Sequence, residues 1–216
     1  MRCRAAVPSW ASEPAGSSEH RAYGIPFPAK RFDLFEEQLA VITGLWQTPV
    51  GEHFDFAGSH YELTDAPALP KPAQERVPVI VGGAGPTRTP ELAARFASEF
   101  NIGFRDEEVI AAKFAGVRAA CERVGRDPGT LKLSVALPTL AGASAADLDR
   151  RAANIGRTVD ELRGDTNIVG SREDIVPKVE RLVALGAQRV YLQLMDLQDV
   201  EQIEYLGEQV LPHLPR

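Results

Sequence analysis

Cysteine is almost absent: Cys3 and Cys121 are the 2 found in 216 residues. They share no metal-ligand spacing and form no disulfide framework, which fits a reducing cytoplasm. Cys121 falls on the apolar stripe of a helical pattern, the usual place of a buried structural thiol. Positive charge is short as well. The net charge is −6, so no basic field draws in nucleic acid or an anionic membrane. No apolar run approaches the roughly 18 residues of a membrane span, and the start, MRCRAAVPSWASEPAGSSEH, lacks the apolar core of a signal peptide. The 4 histidines, His20, His53, His60 and His213, include no HxxxH or HExxH pair. That spacing excludes the standard zinc and iron sites. No GxSxG elbow is present, and Glu36-Glu37 and Glu107-Glu108 read as solvated helix faces, not as a glycosidase pair.

What is present is a rhythm. Phe35, Leu39, Ile42 and Trp46 recur at helical spacing and predict an amphipathic helix over 28–47. HFDFAGSHYEL reads as a hairpin, with His53 and His60 as cross-strand surface partners. APALPKPAQERVP is an extended, proline-rich connector. From there, apolar strand-like runs alternate with helices at 77–97, 99–124, 131–163 and 189–211. Asp106 is placed to cap the helix bearing Ile110, Phe114, Val117 and Cys121, and Gly125 to end it. Ser171 opens a helix closed by Gly186, with Pro177 expected to kink it. Val200, Ile203, Leu206 and Val210 make a last helix. Such alternation means β/α units and a parallel sheet. A closed barrel needs eight units and about 250 residues, so periodicity leaves half a barrel and an open doubly wound sheet both standing.

The most informative stretch is VPVIVGGAGPTRTPELAARF. An apolar run stops on Gly82, Gly83 and Gly85, and a helix follows with Thr89 as expected N-cap and Pro90 at its first position. In parallel β/α folds ligands gather at the C-terminal strand ends. Bare glycine backbone, a helix mouth and the Arg88 guanidinium suit an anion such as phosphate. The same residues also suit a plain tight turn with a solvated arginine. The spacing is neither Rossmann nor P-loop: Arg88 stands where the former needs glycine, and no lysine is present for the latter. Phe100, Asn101, Gly103 and Phe104 form a second group at a strand end, which packing also explains.

Taken in order, EHRAYGIPFP, RFDLFEEQLAVITGLW, FAGSHYELTDAPALPKP, VPVIVGGAGPTRTPELAARFASEFN and VYLQLMDL resemble the luciferase-like monooxygenase superfamily, and within it the coenzyme F420-dependent oxidoreductases. The likeness runs over residues 19–212. It implies a (β/α)8 TIM barrel that binds F420, or alternatively FMN, at its C-terminal face. It assigns Gly82, Gly83, Gly85, Arg88 and Thr89 to the cofactor phosphate, and puts Glu19 and His20 on a loop bordering the active site. Hydride transfer between the coenzyme and a small organic substrate follows, or monooxygenation with FMN, in a cytoplasmic homo-oligomer. Family members start with strand–helix units that have no counterpart here. The expectation is therefore an irregular segment over 1–18 and a partial barrel over 19–216 lacking its N-terminal strands. A half-barrel that binds a phosphorylated ligand without turnover, or assembles with another chain, is the competing expectation.

Overall fold

The computed structural model describes residues 5–6, 20–25, 27 and 30–215. Glu19 and Cys3 lie outside them, as does most of the 1–18 segment, where Ala5–Ala6 is a short strand, β1. The chain divides into two compact units, Met1–Phe100 with Gly116–Leu131, and Asn101–Ala115 with Lys132–Arg216.

In the first unit, helix α1 (Arg31–Gln47) buries Phe35 and Leu39 at an i, i+4 spacing. The hairpin β2 (Phe54–Ala57) and β3 (Glu62–Ala66) is antiparallel, as its alternation predicts. It docks on α1 in two ways. A Cβ on Gly44 would stand 2.3 Å from the Phe54 ring, so glycine is what lets the ring in. The Glu37 carboxylate accepts the backbone amides of Ser59, His60 and Tyr61 at 2.8–3.0 Å. Burial works against that charge, but the amides and the nearby His60 win and hold the carboxyl below its usual value. His53 pairs with Asp65 at the surface, the bland role its position suggests.

Strand β4 (Val79–Gly82) runs parallel to β1 and is followed by α2 (Arg88–Phe96). Val79 and Val81 point into the core, and α2 buries Leu92, Ala93 and Ala94. Arg126 closes that helix, donating through Nη1 to the carbonyls of Ala94 and Ala97 at 3.0 and 2.7 Å. A cation on the last carbonyls is the arrangement a helix dipole favours.

Strand β5 (Glu99–Gly103) has its first two residues in the first unit and the rest in the second. Helix α3 (Glu107–Arg123) buries Ile110, Phe114, Val117 and Cys121 completely. Asp106 caps it by accepting the Val109 amide at 2.8 Å, and Gly125 follows its end at φ 72°. Burial pushes the Cys121 thiol up, as befits an inert structural cysteine.

In the second unit, β6 (Lys132–Ala141) pairs in parallel with β7 (Ile168–Gly170) near its end and with β8 (Arg189–Leu194) along its middle. Helices α4 (Ala145–Asn154) and α5 (Val159–Leu162) each start with a complete capping box. They pack Leu148, Ala152 and Val159 onto Leu140. Helix α6 (Arg172–Ala184) carries Pro177 without a break in its span. The last helix begins with α7 (Val200–Tyr205). Gln202, Leu206 and Val210 are buried, whereas Val200 and Ile203 are 59% and 50% exposed. The buried face is rotated because Asp199 and Gln202 are drawn inward by hydrogen bonds that apolar periodicity does not register.

Candidate functional site

The glycine turn lies at the C-terminal end of β4. Gly83 sits at φ 131°, open to glycine and strained for other residues. A Cβ on Gly85 would come 2.6 Å from Thr89 Oγ1, so the loop is folded tightly over the first turn of α2. The expected cap is corrected: Thr87, not Thr89, is the N-cap, and it makes no side-chain cap bond. Thr89 lies at the second helical position, 2% exposed, and its hydroxyl has no partner among the described residues. The early amides of α2 are thus not taken up by a capping side chain, and an orphan hydroxyl sits among them. Donors of this kind suit an oxyanion.

Arg88 is differently placed from the bare cation at a helix mouth that the spacing suggests. Its Nη2 donates to Asp33 Oδ1 at 2.9 Å and to Glu36 Oε2 at 2.8 Å, both on α1. Glu36 is shared with Arg95. A ligand at this turn meets a guanidinium already balanced by two acids, with Nε and Nη1 making no bond to described residues.

His20 contacts Phe27, ring centroids 5.1 Å apart in T-shaped geometry. Two cavities lined by described residues of the first unit open elsewhere. One of about 380 Å³ is lined by Val77, Val79, Arg95, Ser98 and Arg126, at the start of β4 and the end of α2. It is at the opposite end of the strand from Arg88.

The second unit holds two polar constellations that periodicity missed. At the end of β6, Arg151 Nη1 donates to the Ala141 carbonyl at 2.7 Å and Gln202 Oε1 accepts the Ala141 amide at 2.8 Å. Arg151 and Gln202 are joined through Asp199. Elsewhere, Lys178 and Arg181 of α6 converge on Glu107 of α3 at 2.9 and 3.0 Å, beside a cavity of about 220 Å³. Burial would raise the Glu107 pKa; the two cations outweigh it and hold it low. Asn101 donates to Ser134 at 2.9 Å, and Phe104 is partly exposed at φ 56°. Among the described residues no group of His, Cys, Asp and Glu could hold a metal ion, and no helix is long and apolar enough to cross a membrane.

Residues 15–165 match the family described as luciferase-like monooxygenase. A curated relative, the F420-dependent glucose-6-phosphate dehydrogenase of Microbacterium testaceum (strain StLB037), is 33% identical over 89 residues, 41% of this chain and 25% of that protein. The coenzyme F420 dependent tetrahydromethanopterin reductase of Methanopyrus kandleri superposes with TM-score 0.72 at 15% identity, over 92% of this chain and 72% of that one. A riboflavin lyase solved with modified FMN and riboflavin gives TM-score 0.69 at 14% identity, over 89% and 59%. The matched region is a quarter of the curated relative's length. These likenesses carry the fold, an α/β architecture of the luciferase-like barrel type of which this chain spans part.

Proposed function

Since the chain belongs to the luciferase-like monooxygenase family, we propose that it acts in redox chemistry on a small organic substrate, with F420 as coenzyme and FMN as the alternative. When bound, such a coenzyme supplies hydride transfer, or oxygen activation if it is FMN. The observation that carries the reading is the cradle at the start of α2. Gly82 ends β4, Gly83 takes a backbone conformation open to glycine, Gly85 leaves no room for a Cβ beside Thr89, Thr89 offers a hydroxyl without a partner among the described residues, and the helix end adds partial positive charge. These residues fit a phosphate group. Arg88 contributes its unengaged edge against the pull of Asp33 and Glu36. F420 is put first because the curated relative and the reductase are both named for it. We further propose that the protein works in the cytoplasm as a homo-oligomer, without nucleic acid.

A second reading keeps the phosphate site but not the turnover. Strand β8 is half-exposed through most of its length, whereas a covered parallel strand is buried on both faces. This favours assembly with another chain before any catalysis. Purified protein titrated with F420 and FMN, each then assayed for protein-dependent oxidation of its reduced form, separates the two. Binding with turnover supports the enzyme; binding alone supports the second reading. No affinity for either coenzyme overturns both.

A further inference from the structure

The start of α1 carries two cations, Lys30 at the N-cap and Arg31 at the first helical position. The positive end of the helix dipole disfavours cations there. An acid in the first turns ordinarily offsets that, but the acids of α1 are committed elsewhere. Asp33 and Glu36 take Arg88, Glu36 also takes Arg95, and Glu37 holds the hairpin amides. Arg31 instead rests on aromatic rings. Its Cζ lies 5.1 Å from the Phe27 centroid and 5.6 Å from that of Phe32. Ring faces attract the charge yet accept no hydrogen bond worth a carboxylate's. Arg31 Nε is fully buried with no partner, and among the described residues the guanidinium makes no hydrogen bond or ion pair. Leaving such a group unpaired is costly unless something beyond the described residues pairs it. His20, in contact with the same Phe27, lies beside the cluster.

We infer that Arg31, held against Phe27 and Phe32, anchors an oxyanion site that takes a carboxylate or phosphate group of the small molecule on which this protein acts. Two donors on one guanidinium edge match the two oxygens of such a group, and the rings fix the plane in which it is presented. The site is separate from the glycine turn, since it shares none of that turn's residues. Naming its ligand as the substrate rests on the proposed redox function; the binding itself does not.

The test uses the full chain at low ionic strength, with inorganic phosphate and acetate as probes. The side-chain Nε–H signal of Arg31, identified by its loss in Arg31→Lys, is followed by NMR, and affinities are measured by calorimetry. A saturable shift is expected with at least one probe, and Arg88→Ala should leave it in place. Arg31→Gln should weaken that binding at least tenfold, with Arg31→Lys retaining part of it. Response to phosphate alone identifies a phosphate group; response to acetate identifies a carboxylate. If Arg31→Gln does not fold, the signal in the native chain and the Lys variant decide. No shift with either probe, or binding that Arg88→Ala abolishes and Arg31→Gln does not, overturns the site. Failure of F420 and FMN to bind would leave this result standing.

Discussion

Arg151 Nε donates to Asp199 Oδ2 at 2.7 Å, and each side chain is 5% exposed. The pair joins α4 to the residue that caps α7, and through Ala141 it holds the end of β6. Removing one partner leaves a buried charge unpaired. Arg151→Ala and Asp199→Ala should each lower stability by ~3–5 kcal/mol in chemical denaturation. The apolar double replacement Arg151→Met with Asp199→Leu should cost less than either single change. Additive losses would show that the two groups do not act as a pair.

Acid should loosen the second unit. Burial opposes the charge on Asp199, but Arg151 and the Gln202 amide prevail, so its folded pKa lies below 3.8. Glu107 lies below 4.5 for the parallel reason. Both bind protons more weakly folded than unfolded. Their contribution is complete above those ordinary values and drains away as pH falls through the lower folded ones. Denaturation midpoints should fall from about pH 4.5 downward, and Glu107→Gln should flatten part of that slope. A variant slope identical to the native one would contradict the assignment.

Thr89 and Gly85 make opposite predictions for stability and binding. Thr89→Val removes an unpartnered buried hydroxyl, and should leave stability unchanged or raise it by up to about 1 kcal/mol while weakening phosphate binding. Gly85→Ala drives a methyl to within 2.6 Å of Thr89 Oγ1 and should lower the melting temperature, with partial rescue by Thr89→Ala. Retained phosphate affinity in Thr89→Val would return this threonine to a packing role.

The acids facing Arg88 compete with any anion at the turn. Asp33→Asn and Glu36→Gln should therefore raise phosphate affinity, whereas Arg88→Ala should reduce it. Calorimetry at low salt reads both, because screening blunts exposed charges. Unchanged affinity in all three variants would place the anion elsewhere.

Hairpin docking rests on Gly44 and Glu37. Gly44→Ala would push a methyl into the Phe54 ring, and should expose the β2–β3 hairpin to proteolysis, with Phe54→Ala relieving it. Protection equal to the native chain would show that the ring moves freely.

Much of this protein was legible in order along the chain. The strand of Val79 and Val81, the buried stripe Ile110, Phe114, Val117 and Cys121, and the Asp106 and Ser171 helix starts all follow from local periodicity and capping chemistry. The glycines of the β4 turn announce close backbone approach for the same reason. These features depend on neighbours within about one helical turn, which is what a linear pattern records.

Tertiary structure alone decided which charges meet. Arg88 reads as a free cation until α1 brings Asp33 and Glu36 to it across 55 and 52 residues. Arg151 and Asp199 read as surface charges until they close over Ala141, turning α7 so that Val200 faces solvent. Arg31 reads as one more helix-face arginine until the acids of its own helix are found engaged elsewhere. Apolar burial is repeated along each element and survives in the sequence as a period; a charge pair is a single contact between distant residues, and only the folded chain records it.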